Sequence, residues 1–267
     1  MRRKNNDTDY QMMLYYDIAD NVTAFTTTRE GGCSIGNYAS MNVNAYCGDN
    51  PEHIAENRRR LCGELNIPLC HLVMPHQIHQ TKVAAITSRF MEYRPEQQAV
   101  YLEGVDAVIT DMEGIAIGVS TADCVPILIF DPRHHVAAAI HAGWRGTVQR
   151  IAEKAIDEMS RYYGTDGNDC KAVIGPSISM DSFEVGDEVY ETFRSTGFNQ
   201  EHLYMYRNWK WHIDLWECNR LQLLNKKIDA HNIHVAGICT YQSSDRFFSA
   251  RKLGIQSGRL FSGIILR

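Results

Sequence analysis

The spacing of apolar side chains predicts both helices and short strands. In TVQRIAEKAIDEMSRYYG, apolar residues recur with the period of a helix that buries one face; they are Val148, Ile151, Ala152, Ala155, Ile156 and Met159. Thr147 is the predicted N-cap of this helix and Gly164 its predicted stop. Another helix is predicted after Asp49 or Asn50, because Pro51 suits the first helical position.

Short apolar runs bounded by turn residues predict strands. They include GVDAVIT, VPILIF, VAAAI, IHVAGICTY and FSGIILR. The strands cluster in hairpins as well as alternating with helices. The pattern therefore favours an α+β fold, with a mixed β-sheet core and helices packed outside it, over a doubly wound parallel sheet. No repeat or linker interrupts the chain, so residues 1–267 are predicted to form a single domain.

Composition narrows the classes of protein. With 44% hydrophobic and 22% charged residues the chain has ordinary globular values. A formal charge of -5 gives no general attraction for nucleic acids or anionic membranes, and no stretch approaches the roughly 18 apolar residues of a membrane span. The eight cysteines include no C-x-x-C pair, which favours free thiols. We expect a cytoplasmic protein without nucleic acid or membrane partners.

One predicted hairpin brings a thiol and an imidazole together. In ADCVPILIFDPRHHVAAAIHAGWRG, Asp131 and Pro132 suit the first two positions of a type I turn. A turn from Asp131 to His134 would place Cys124 directly opposite His141. Opposed Cβ atoms lie about 4.5–5.5 Å apart, which suits two ligands of one metal or a thiolate with its imidazole partner.

The residues around this pair favour a binding site over a core thiol and a strand-end histidine. His141 opens HAGWRG, whose glycines allow close approach of backbone to a ligand. The helix predicted to begin at Thr147 would offer free N–H groups to an anion. Arg145 adds positive charge there, unless it forms a surface salt bridge.

A third metal ligand would have to be another histidine. Catalytic zinc sites typically combine three protein ligands of the thiolate and imidazole type with an open position. His79 with Cys124 and His141 would complete such a set, but spacing alone does not choose among the histidines. The other candidates are His71, His76 and His135.

Longer motifs resemble a known family. TTREGG, MNV, HQIHQTKV, GVDAVIT, TADCVPILIFD, HAGWRGT, IGPSIS and FFSARKLGIQSGR occur in this order over nearly the whole chain. The series resembles the laccase-domain family, also called the YfiH-like or multicopper polyphenol oxidase family, and TADCVPI followed by HAGWRG is its most specific part. The resemblance implies a YfiH-like fold and a zinc site formed by His79, Cys124 and His141, which would also be the catalytic residues.

The resemblance also implies an activity. Its substrates would be purine nucleosides and phosphate, with phosphorolysis of adenosine, inosine, guanosine and methylthioadenosine and with adenosine deamination as a second reaction. Zinc suits the deamination because it activates water for attack on purine C6. In the family Asn and Arg line the pocket at the positions of Asn42 and Arg58, although MNV departs from the commoner leucine-containing motif. Arg58 and Arg145 are the predicted phosphate contacts.

Two other activities fit part of the pattern. In a metal-free cysteine hydrolase Cys124 would be the nucleophile and His141 the base, and His79 would not be needed. In a polyphenol oxidase the same three side chains would bind copper. Multicopper oxidases commonly carry H-x-H pairs, whereas this chain has 11 histidines and no such pair.

Overall fold

A computed structural model describes residues 11–267, and the strands within them form three sheets. The strands are β1 (Met13–Tyr16), β2 (Val22–Thr27), β3 (Leu72–Val73), β4 (Val83–Ala85), β5 (Ala107–Thr110), β6 (Ala116–Thr121), β7 (Val125–Asp131), β8 (Val136–Ala142), β9 (Lys171–Ile174), β10 (Glu184–Val185), β11 (Tyr204–Arg207), β12 (Lys210–Ile213), β13 (Ile233–Val235) and β14 (Leu260–Leu266).

The α-helices of this part of the chain range from one turn to four. They are α1 (Pro51–Leu65), α2 (Ser88–Met91), α3 (Pro95–Tyr101), α4 (Trp144–Val148), α5 (Ile151–Tyr163), α6 (Asp187–Ser195), α7 (Leu215–Asn225) and α8 (Ala250–Leu253). Among the described residues, no helix has the length and apolar character required to cross a membrane.

The sheets are mixed, as predicted. The five-stranded sheet has the order β1-β2-β14-β6-β3, the six-stranded sheet β13-β9-β7-β8-β5-β4, and the small sheet β10-β12-β11. Strands β3 and β6, β4 and β5, and β9 and β13 pair in parallel, while β7 and β8, at the centre of the larger sheet, are antiparallel.

The two large sheets pack face to face, with helices on their outer faces. Ile117 and Ile264 of one sheet share an apolar cluster with Leu128 and Ala139 of the other. On the far side of the six-stranded sheet, α5 and α7 bury their apolar faces, and α1 covers the five-stranded sheet. These four layers confirm the prediction of an α+β fold with helices outside the sheets.

Helix α1 begins as predicted. Asn50 is the N-cap, and its side chain accepts a hydrogen bond from the backbone N–H of Glu52, which follows Pro51. The carboxylate of Asp49, the alternative cap, instead accepts hydrogen bonds from Ser34 and Asn42.

The prediction that Thr147 caps a helix is wrong. Thr147 lies inside the short helix α4, whose N-cap is Gly143. Arg150 then adopts a left-handed conformation with φ of 63° and begins α5, which ends at Gly164 as predicted. The expected anion site at the Thr147 helix terminus is therefore absent. The buried face from Ile151 onward is as predicted.

The turn between β7 and β8 is longer than predicted. Asp131 pairs with Val136, so four residues connect the strands. The Asp131 carboxylate accepts hydrogen bonds from the backbone N–H groups of Arg133 and His134. His135 has φ of 55°, which directs the chain into β8.

The longer turn shifts the predicted register by two residues. Pro126 is the residue opposite His141, so the prediction that Cys124 lies directly opposite His141 is wrong. Side chains alternate between the faces of a sheet, and a shift of two positions leaves Cys124 on the same side of the hairpin as Pro126. The two predicted ligands are therefore diagonal neighbours.

Candidate metal centre

Three sulfur and nitrogen ligands converge where β8 leaves the six-stranded sheet. The ligand atoms of His79, Cys124 and His141 all lie within 4.8 Å of one another, and this is the one group of its kind among the described residues. The two imidazole rings meet edge to face with centroids 4.8 Å apart. His141 is buried, Cys124 half-buried and His79 exposed, so the group opens to solvent on one side.

Left-handed backbone turns position two of these side chains. His79, between β3 and β4, has φ of 63°, and Asp123, immediately before Cys124, has φ of 84°. Gly143 follows β8, and a Cβ atom at this position would lie 3.1 Å from both Cys124 Sγ and His79 Cδ2. The absence of a side chain at Gly143 therefore lets the ligands approach one another.

A buried carboxylate holds the two histidines in place. His141 Nδ1–H donates to Asp106 Oδ1 at 2.8 Å, which leaves Nε2 of His141 for the ligand group. The backbone N–H groups of Ile78, His79 and Gln80 donate to the same carboxylate at 3.3, 3.0 and 2.8 Å. Asp106 thus orients one ligand directly and the other through its loop, as expected of a metal site.

Charge within the group favours a thiolate. Burial would raise the pKa of the Cys124 thiol, but the positive charge and hydrogen bonds of His141 and His79 outweigh it and lower the pKa to about 6. Burial would lower the pKa of His141, whereas the Cys124 thiolate and Asp106 raise it to about 9. Near neutral pH the metal-free pair is therefore a thiolate beside an imidazolium.

The three side chains line a cavity of about 650 Å³, a size typical of small-molecule sites. On one wall Asn44 Nδ2 donates to Ser120 Oγ, and Gln77 Nε2 donates to the Ser120 carbonyl. The amide groups of this wall are therefore held in place by the protein itself. The buried hydroxyl of Thr121, on the same wall, has no hydrogen-bond partner among the described residues.

Helix α8 and the residues between it and β14 form another wall. Arg251 and Arg259 both line the cavity. The guanidinium group of Arg251 donates to the Glu184 carbonyl at 3.1 Å, and Arg259 donates to the carbonyls of Ser257 and Ile255. The cavity therefore has two fixed positive charges at its edge.

The predicted substrate residues lie away from the cavity wall. Asn42 is fully buried; its amide donates to Asp49, and its carbonyl accepts from the backbone N–H of Arg259. Arg58 donates from Nε to the Val43 carbonyl and lines a separate cavity. Arg145 is exposed and lies over the Trp144 ring. The structure thus brings together the predicted metal ligands but not these three residues.

Several cavity residues escaped sequence reasoning. Asp106 lies in GVDAVIT, where a single acidic residue inside an apolar strand pattern was the available signal. A second acidic residue, Asp123, accepts hydrogen bonds from the Thr240 hydroxyl and the Arg251 backbone and so anchors the start of α8. Asn44 carried no signal of its own.

Comparisons with known proteins identify relatives over nearly the whole chain. The family model described as "Multi-copper polyphenol oxidoreductase laccase" matches residues 23–267. A purine nucleoside phosphorylase of Bacteroides thetaiotaomicron is 46% identical over 263 residues, 97% of each chain. Adenosine deaminase RL5, from an unknown prokaryotic organism, is 44% identical over 92% of this chain and 94% of its own.

Solved structures share the whole fold. YlmD from Geobacillus stearothermophilus superposes with a TM-score of 0.90 at 30% identity, over 98% of both chains. The hypothetical protein YfiH of Bacillus licheniformis gives a TM-score of 0.90 at 29% identity, again over 98% of both chains. Because the family model spans most of the chain and these relatives match it over nearly their whole length, the chain belongs to the laccase-domain (YfiH-like) family of enzymes.

Proposed function

We propose that this protein is a zinc-dependent purine nucleoside phosphorylase that also deaminates adenosine. Its substrates would be phosphate with adenosine, inosine, guanosine or methylthioadenosine. The observation that carries the proposal is the convergence of His79, Cys124 and His141 within 4.8 Å on the wall of a nucleoside-sized cavity. Support also comes from relatives named for each activity.

The donor set fits zinc. One thiolate and two imidazoles are a common ligand combination for this metal, and three protein ligands leave a position open for chemistry. Asp106 behind His141 and the space at Gly143 both favour a closed arrangement of the three ligands. When bound, zinc supplies Lewis-acid activation of water or of a substrate oxygen.

The rest of the cavity suits a nucleoside with phosphate. Arg251 and Arg259 supply positive charge for the phosphate. The Asn44 amide and the Ser120 hydroxyl, which bond each other on the cavity wall, suit a ligand that brings its own donors and acceptors, as ribose and a purine do. Deamination would place purine C6 toward the metal ligands, and phosphorolysis would place C1′ toward the phosphate.

Asn42 and Arg58 act through the loop that they hold. Arg58 bonds the Val43 carbonyl, and Asn42 ties the same loop to the backbone of Arg259. Residues Asn44 and Tyr46 of this loop line the cavity. We therefore assign Asn42 and Arg58 a positioning role, and the location of Arg145 gives no support for a substrate contact.

The test is incubation of the purified protein with adenosine, with and without phosphate. With phosphate present we expect ribose 1-phosphate in an amount equal to adenine plus hypoxanthine, the latter formed from inosine. Without phosphate we expect inosine alone, and the protein should hold about one zinc per chain. A His79→Ala variant should lose the zinc and both activities, while a His71→Ala variant, changed at a histidine that bonds the Gly114 carbonyl outside the cavity, should keep them.

A metal-free cysteine hydrolase is the alternative that the Cys124–His141 pair favours. Full turnover after a chelator has removed the metal, or full activity of His79→Ala, would replace our proposal with it. Copper-dependent polyphenol oxidation would appear as oxygen consumption with a diphenol. We expect none, because the described residues contain one group of metal ligands and oxygen reduction to water by copper oxidases uses several copper ions.

A further inference from the structure

A third imidazole, that of His76, lies on the wall of the same cavity. Nδ1 of His76 is 2.9 Å from both carboxylate oxygens of Glu103. The ring of His76 stacks on Tyr46, with centroids 3.9 Å apart and planes at 20°. The backbone of His76 bonds Leu102 and Gly104 on either side of Glu103. The orientation of this ring is therefore fixed by the protein itself.

The free nitrogen of this ring is Nε2. It has no hydrogen-bond partner among residues 11–267, and His76 is not part of the metal-ligand group. His76 lines the cavity, whereas Glu103 does not. Nε2, the ring nitrogen that does not bond Glu103, is therefore the one available to a ligand. His141 and Asp106 form a similar pair on the same cavity.

We propose that His76 is the general acid that protonates the departing purine during phosphorolysis. This inference rests on the proposed function. A carboxylate bonded to Nδ1 holds the imidazole in one orientation with Nε2 toward the cavity, the arrangement that many enzymes use for proton transfer. An imidazolium at His76 presents an N–H donor to the cavity.

Phosphorolysis of a purine nucleoside requires a proton donor for the departing base. A phosphate oxygen bonds to C1′ as the C1′–N9 bond breaks, and the electron pair of that bond moves into the purine. The base leaves easily only if a proton reaches it, and N7 is the purine nitrogen open to a donor. Nε2–H of His76 donates its proton to N7 of the purine. The hydrogenphosphate loses a proton when it becomes ribose 1-phosphate, and this proton returns to Nε2 of His76.

Tyr46 and the solvent exposure of the pair suit this role. The side chain of His76 is 32% exposed, so protons can exchange with the buffer between turnovers. Tyr46 covers one face of the ring and is itself half exposed. The imidazole is thus held in place at the mouth of the cavity, where a departing base passes.

The experiment compares two nucleosides in a His76→Gln variant. With inosine, kcat should fall by about 100-fold or more, the usual contribution of a general acid. With 7-methylguanosine, whose base already carries a positive charge and leaves without protonation, kcat should fall by less than about threefold. A Glu103→Gln variant should show the same selectivity with a smaller loss.

Controls separate this role from a structural one. His134→Gln removes a similarly paired histidine, 2.8 Å from Asp131 at the hairpin tip and outside the cavity, and should leave both rates unchanged. All variants should retain zinc and the thermal midpoint of the native protein. Added imidazole should restore inosine cleavage to a His76→Gly variant and should not accelerate the native protein.

Three results would overturn the assignment. They are equal losses with both nucleosides, a raised KM for phosphate with unchanged kcat, and no rescue by imidazole. A native protein that holds zinc but cleaves neither inosine nor 7-methylguanosine would refute the proposed phosphorylase itself. That outcome is distinct from a phosphorylase whose inosine rate is unaffected by His76→Gln.

Discussion

Asp106→Asn changes a single oxygen and tests the origin of the ligand geometry. Asp106 Oδ1 accepts hydrogen bonds from His141 Nδ1–H and His79 N–H, and Oδ2 accepts from Gln80 N–H and Ile78 N–H. An amide has one oxygen and one NH2 group. Whichever way the new side chain turns, its NH2 group faces two N–H donors that previously had an acceptor.

The expected cost follows from these contacts. Hydrogen bonds to a charged acceptor contribute about 1.5–3 kcal/mol each, so the loss of two destabilises either the His79 loop or the orientation of His141. Changes to groups that orient metal ligands weaken metal binding by about 10–100-fold, which corresponds to roughly 1.4–2.8 kcal/mol. We expect a loss of zinc affinity in this range and a lower thermal midpoint of the metal-free protein.

Competition with a zinc chelator measures the affinity, and calorimetry of the metal-free protein measures the midpoint. Asp123→Asn is the matched control, because Asp123 is a carboxylate on the cavity wall that bonds Thr240 and Arg251 rather than a predicted ligand. It should alter zinc affinity by less than about threefold. Unchanged zinc affinity in Asp106→Asn, or an equal loss in Asp123→Asn, would refute the positioning role of Asp106.

Other changes test separate parts of the site. Gly143→Ala should weaken zinc binding by about tenfold or more, because the new methyl group would lie 3.1 Å from Cys124 Sγ and His79 Cδ2; metal analysis after dialysis measures this. In metal-free protein, iodoacetamide should alkylate Cys124 at pH values above about 6 and not below, where its thiolate is protonated. Cys170 should stay unmodified, because burial raises its pKa to about 12; peptide mapping distinguishes the two cysteines. Asn42→Ala should lower the free energy of unfolding by about 1–3 kcal/mol and raise the KM for nucleosides, with zinc content unchanged; urea titration and initial rates measure the two effects.

Local signals accounted for much of the fold. Asn50 and Pro51 mark the start of α1, and Gly164 marks the end of α5, because caps and stops depend on the residue itself and its immediate neighbours. The division between α4 and α5 was not predicted. It depends on a left-handed conformation at Arg150, which its sequence neighbours do not demand.

The parts of the site that sequence reasoning missed are those assembled across the fold. Asp106 reaches the backbone of residues 78–80 only because β4 and β5 pair in parallel. The contact of Asn42 with Arg259 joins residues 217 positions apart. Neither contact can be predicted from the spacing of residues along the chain. The positions of Asn42 and Arg58 behind the cavity wall could not be predicted either, because they depend on the path of one loop.

The hairpin shows why an error in geometry left the predicted ligand pair intact. The predicted turn was two residues too short, because the Asp131 carboxylate stabilises a loop of four residues and His135 takes a left-handed conformation at its end. Side chains repeat every two residues in a strand, so a two-residue shift keeps Cys124 and His141 on one side, while a one-residue shift would have separated them. The distance between the two ligands is then set by the chain after β6 and by the bare backbone of Gly143. A one-residue insertion in the hairpin loop that shifts the β7–β8 register by one position should therefore abolish zinc binding more completely than a two-residue insertion, which metal analysis of the two purified variants would measure.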